Sequence, residues 1–181
     1  MLEITTTEDE FFDQTTNRFI PIPACTLTLE HSLISLAKWE SKWCIPYLGE
    51  GNKTEVQELD YIRCMTIGNT PNINIYKALT VKDITTIRDY INHPMTATTF
   101  QKRKNERPRK NEVITAEVLY SRIFAHGISM ECQKWHLNRL LTLIRVCDLQ
   151  NTPKDKMTKK QTAQWNAEQN AARRAKYNTR G

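Results

Sequence analysis

The sequence predicts a mainly α protein with a small N-terminal β hairpin or meander, a helical domain and a basic, partly helical C-terminal tail. Three observations predict it. β-prone residues cluster only before Leu29. From there to Pro153, apolar residues recur at three- and four-residue spacing between helix-capping and helix-stopping residues. Beyond Pro153 the composition shifts to Ala, Lys, Arg, Asn and Gln, with little to bury. The expected organisation is a β element over 1–29 packed on the helical body, a helical domain over 30–153, and a tail over 154–181.

Taken in order, the β signal is Ile4, then Phe19 to Ile22, then Leu27 to Leu29, with turn formers between Phe12 and Arg18. Pro21 and Pro23 place that stretch at a sheet edge, because proline cannot donate to a ladder. Thr28 is the expected cap of a first helix reaching about Trp43, with Leu29, Leu33, Leu36 and Trp43 on its apolar face. Pro46, Gly49 and Gly51 then break the chain. Thr54 and Gln57 form a capping box, in which the hydroxyl takes the N3 amide proton and the Gln reaches back. Thr80 and Asp83 repeat the device before Ile84, Ile87 and Ile91, and Pro94 ends that helix. Residues 101–112 read as a solvated basic loop. A helix from Val113 to His126 stops at Gly127. Ser129 is expected to cap one long helix from Met130 to about Leu149, striped by Leu137, Leu140, Leu141, Ile144 and Cys147. Thr158 and Gln161 open the tail helix with a further capping box.

The hydrophobic share, 39%, falls below the roughly 45–50% usual in globular chains, so part of the sequence lies outside a core. No run of about 18 apolar residues exists to span a membrane. The first residues have no basic or apolar segment of the kind a signal peptide requires. Five scattered cysteines suit reduced thiols packed as small apolar groups. The chain carries a net +6, unevenly placed: residues 154–181 hold eight basic and two acidic groups, residues 101–112 hold six and two, and the remainder holds twelve and sixteen. A mildly acidic body therefore carries a basic loop and a basic tail, which differs from a uniformly basic nucleic-acid binder.

Sites for chemistry are sparse in the sequence. Cys132 and His136 would share a face of the long helix, but metal binding needs two further ligands at matched spacing and none is visible. No Gly-rich elbow accompanies a nucleophile, no phosphate-cradling glycine loop occurs, and Glu8, Asp9 and Glu10 read as solvated acids in a turn. No enzyme, cofactor or metal is expected. The basic loop residues Lys102, Arg103, Lys104, Arg107, Arg109 and Lys110 could contact phosphates or an acidic partner, but they lack the interleaved aromatics of a single-strand stacking platform. Trp135, His136 and Arg139 could anchor a protein interface, with Trp165, Arg173 and Arg174 adding contacts from the tail. The alternative for Trp135 is packing beneath the β layer.

The run Glu131-Cys132-Gln133-Lys134-Trp135-His136-Leu137-Asn138-Arg139, continuing to Cys147, resembles a segment of a tailed-bacteriophage family. Residues 27–33, 39–43, 60–66, 93–98 and 170–174 are similar to further segments of that family, in the same order. The chain departs from the family pattern at Ser121, Arg122, Ile123 and Phe124, where the family has a more aromatic helix. The family is that of the tail assembly chaperones. The resemblance implies a protein of the host cytoplasm that binds the long, aggregation-prone tape-measure protein while the tail tube grows. It also implies self-association, a possible frameshift-extended form of the same chain, and absence from the mature virion. A structural tail or connector protein is the first alternative, and a nucleic-acid-binding protein the second.

Overall fold

The structure of the protein is a computed structural model, and it describes residues 1–13, 17–49, 51–68, 71–100, 113–151 and 159–177. It divides into a unit Met1–Cys147 and a unit Asp148–Gly181. The fold is mixed and mostly helical. Four strands come first: β1 (Leu2–Thr6), β2 (Asp9–Asp13), β3 (Arg18–Ile22) and β4 (Cys25–Leu29). Helices follow: α1 (Leu33–Trp43), α2 (Glu55–Met65), α3 (Ile73–Lys77), α4 (Val81–Asn92), α5 (Ala116–Ala125), α6 (Leu137–Asn151) and α7 (Lys159–Tyr177), with a 3-10 turn at Met130–Lys134. Among the described residues no helix is long and apolar enough to cross a membrane.

The strands form two antiparallel pairs, β1 with β4 and β2 with β3. Leu2 faces Leu29 in the first pair and Asp9 faces Ile22 in the second. Both pairings keep the same frame, so the two ladders are one long hairpin interrupted where Pro23, lacking an N–H, would sit opposite Glu8. Alternation places Ile4, Leu27 and Leu29 on the buried face of the first ladder. Ile22, five positions before Leu27, is buried from the opposite face in the second, so the interruption turns the other face of the ribbon to the core. The acidic turn expected around Glu8–Glu10 is corrected: Asp9 and Glu10 lie within β2, because Phe11, which follows them, packs against the core.

The helix starts divide by how local their signals are. The Thr54–Gln57 and Thr80–Asp83 boxes both form, with the side chain and the backbone of each cap bonded as the spacing requires. The cap of α1 is Ser32, not Thr28; Thr28 is paired with Glu3 in the hairpin. The single long helix expected from Met130 is broken. Trp135 is extended after the 3-10 turn, and α6 begins at Leu137. The cause is tertiary. The Leu137 amide donates to the His31 carbonyl at 2.6 Å, and Ser32 bridges His136. A continuous helix would have kept that amide for itself. Cys132 and His136 consequently do not share a helical face.

Two hydrophobic clusters form in the first unit. One joins the hairpin with Trp39, Tyr61, Met65, Tyr76 and Ile87. The other joins Leu33 and Leu36 with Leu119, Ile123, Leu137 and Leu140. α5 has no side-chain cap of its own at Thr115. The buried Glu40 carboxylate supplies one from α1, accepting the Ala116 amide at 2.7 Å with one oxygen and the Tyr47 amide at 2.7 Å with the other. In the second unit, every side chain described on α7 is exposed.

Candidate partner-binding cleft

A cleft of about 590 Å³ opens between α2 and α4. The capping boxes at Thr54 and Thr80 fix where its two walls begin. Its apolar lining includes Leu59 and Ile62 from α2, Ile84 and Ile91 from α4, and Leu79 from the turn before α4. Several of these are only partly buried, and Val81 at the rim is 85% exposed. Charged groups ring the mouth. Arg88 of α4 donates to Glu58 of α2 at 2.6 Å, spanning the two walls. The Lys53 ammonium lies 4.6 Å from the centre of the Tyr47 ring, which stacks on Tyr61 at 3.7 Å. A partly buried aliphatic trough with a charged rim suits the apolar face of an amphipathic helix. The rim ion pair is exposed, and such pairs contribute about 0–1 kcal/mol, so a ligand can displace it.

Behind the cleft, a chain of aromatic and imidazole rings links its walls. Tyr61 of α2 bonds His31 Nδ1 through its hydroxyl at 2.6 Å. The His31 ring meets the edge of His136 at 5.1 Å. His136 Nε2 donates to the Tyr90 carbonyl of α4 at 3.0 Å, and its Nδ1 accepts the Asn138 amide at 3.3 Å. His136 is thus the N-cap of α6 as well as a partner for the C-terminus of α4. The Asn138 side chain adds bonds to the Ile91 and His93 carbonyls, each at 2.9 Å. Glu30 accepts from the Tyr90 hydroxyl at 2.8 Å. Burial, with His136 beside it, pushes the His31 imidazole down to about 3. Burial also lowers His136, against the raising effects of its bond to Tyr90 and of Glu30. Burial holds the Tyr61 hydroxyl well above the usual phenol range.

The residues singled out in the sequence are distributed differently. Trp135 is half-buried against the second cluster, whose buried residues include none from the strands, and the Arg139 guanidinium lies 4.1 Å above its ring. His136 is 6% exposed and faces inward. Trp165, 51% exposed, and Arg173 and Arg174 lie on the surface of α7. Lys102, Arg103, Lys104, Arg107, Arg109 and Lys110 lie outside the described residues, as does Thr158. Sequence reasoning did not assign the cleft, or His31, Tyr61 and Tyr90 behind it. Their contacts join residues 30 to 60 positions apart, and no local spacing reports them. Asp60 was missed likewise. Its buried carboxyl is pushed up by burial, but hydrogen bonds from Lys42 at 2.5 Å and Trp43 at 2.8 Å outweigh that and hold it below its ordinary range. Among the described residues no group of three or more His, Cys, Asp or Glu is placed to hold a metal ion. No family model, curated protein or solved structure matches the chain.

Proposed function

We propose that this chain is a tail assembly chaperone of a tailed bacteriophage that binds amphipathic helices of the tape-measure protein in the α2–α4 cleft. The observation that carries the binding mode is the cleft itself: a trough of partly buried aliphatic side chains between two capped helices, with a charged rim that can part. The resemblance of the 131–147 run and its companion segments supplies the biological setting. A binding role, not catalysis, also suits the titratable groups behind the cleft. His31, His136, Tyr61, Tyr90 and Glu30 hydrogen-bond groups of the chain itself. Trp165, Arg173 and Arg174, exposed on α7, offer a second contact for acidic stretches of the same client, and two linked contacts raise avidity. In this reading the protein acts in the host cytoplasm and leaves before the virion is complete.

Co-expression tests the proposal. Tape-measure protein made alone should be insoluble, and this chain should keep it in solution. The Val81→Asp variant, altered at an exposed rim position, should fold and lose that effect. Equal insolubility with and without the chain sinks the chaperone reading. Mass spectrometry of purified particles separates it from a structural tail or connector role, since a chaperone should be missing from them.

A further inference from the structure

The ring chain behind the cleft has an electrostatic consequence. The two walls are joined through Tyr61, His31, His136 and Tyr90, and the central contact is a pair of imidazoles in a buried seam. The geometry fixes the protonation state of His136. A carbonyl can only accept, so Nε2 carries the proton toward Tyr90. The Asn138 amide can only donate, so Nδ1 presents its lone pair. The ring is neutral, and both of its nitrogens are engaged.

We propose that the His31–His136 pair is a proton-sensitive brace that sets the separation of α2 and α4, and that protonation of His136 releases α4 and changes the grip of the cleft. This rests on reading the cleft as the client site. Adding a proton at Nδ1 sets an N–H against the Asn138 N–H, so the α6 cap is lost. It also places a positive charge at the N-terminal end of α6, where the helix dipole is already positive, and beside His31. The ring must then turn or leave, and the Tyr90 carbonyl loses its partner. Asn138, positioned by the same junction, holds the Ile91 and His93 carbonyls, so the whole C-terminal end of α4 is undone together.

The groups facing His136 come from each element around it. His31 and Glu30 stand between β4 and α1, with the Met1 amine 3.0 Å from Glu30. Tyr90 lies on α4 and His93 just beyond its end, and Tyr61 of α2 stands behind His31. Glu30 is the one anion among them, and it favours the imidazolium. The Met1 amine and His93 oppose it. The brace therefore holds at neutral pH and yields on the acid side of the ordinary histidine value of 6.5.

The test needs no client. Backbone amide exchange of α4 is measured by mass spectrometry against α5 in the full chain, from about pH 7.5 to about pH 5, with intrinsic rates divided out. His136 tautomer and protonation are followed by nitrogen-15 NMR of the imidazole. The expected result is an Nε2–H tautomer at neutral pH, and a loss of α4 protection of about tenfold relative to α5 on acidification. That loss should share its midpoint with His136 protonation and be absent in His136→Gln. A constant α4-to-α5 ratio across the range overturns the proposal, as does a pH response retained in His136→Gln. If that variant does not fold, the wild-type midpoints decide alone, and midpoints that fail to coincide overturn it. Failure here leaves the co-expression test untouched. Loss of client binding with an intact pH response would instead remove the chaperone reading and keep the brace.

Discussion

The two clusters of the first unit use the same kind of amphipathic helix and finish it differently. Around α5 and α6 the apolar faces close on one another. Leu33, Leu36, Leu119, Ile123, Leu137 and Leu140 are each 0% exposed. Around α2 and α4, Ile87 is buried, but Leu59, Ile84 and Ile91 are left partly open in a cleft. Both clusters contain fully buried side chains, among them Leu119 and Leu137 in the cluster around α5 and α6, and Leu29 and Trp39 in the other. The one around α2 and α4 also leaves apolar surface in the cleft, the surface that the proposed function assigns to a client helix.

The largest effect that should separate the regions is a truncation in each. Leu119→Ala should lower unfolding free energy by about 2–5 kcal/mol, the range for emptying a closed core site. Leu59→Ala should cost well under half of that, because its side chain already borders open space. Urea unfolding of both variants measures the contrast, and equal losses would erase the distinction between the clusters. Next comes Glu40→Ala. It strips the Ala116 and Tyr47 amides of their acceptor and should cost about 2–3 kcal/mol, with helix content lost first in α5. Glu40→Gln, which keeps one acceptor oxygen, should recover part of this.

The pH response is smaller per unit. His31 is held near 3 in the folded chain against 6.5 when unfolded, so the unfolded state binds the proton more readily. Stability is full above 6.5 and falls by about 1.4 kcal/mol per pH unit as the pH drops toward 3. His136 is shifted in the same direction and adds in the same sense. Urea midpoints at about pH 7.5 and about pH 5.5 check this, and a flat response would mean that His31 is not locked neutral. Smallest of all is Arg88→Ala at the cleft mouth. It removes an exposed pair and should change stability by less than about 1 kcal/mol, while client affinity changes measurably in a titration.

What could be read from the sequence follows the same division. Thr54 with Gln57 and Thr80 with Asp83 announced the starts of α2 and α4, because a capping box is complete within four residues. The stop at Gly127 was equally local, and its φ of 63° shows why glycine stands there. The hairpin was visible in outline through Phe19–Ile22 and Leu27–Leu29. Asp9–Asp13 was not, because Asp9, Glu10 and Asp13 disguised a strand that Phe11 anchors to the core. The break before Leu137 could not be read from 131–147 alone, where the three- and four-residue stripe argues for one unbroken helix. The decision lies with the His31 carbonyl, more than a hundred positions away. α3, a single short turn capped by Asn72, gave too little periodicity to register. The cleft was unreadable for a different reason: the spacing of Leu59, Ile84 and Ile91 marks an apolar face but does not say whether another helix covers it. Trp135, His136 and Arg139 stood out as large groups beside a core stripe, and only the fold distinguishes the inward His136 from the surface Arg139.

The most direct test of the cleft as client site is site-specific photocrosslinking in phage-infected cells. A photoreactive side chain would replace Val81 at the rim of the cleft and, in a separate protein, Phe124, exposed on α5. The account predicts a crosslink to the tape-measure protein from position 81 and none from position 124. A crosslink from position 124 alone, or tape-measure protein captured from neither while it co-purifies with the chain, would contradict it.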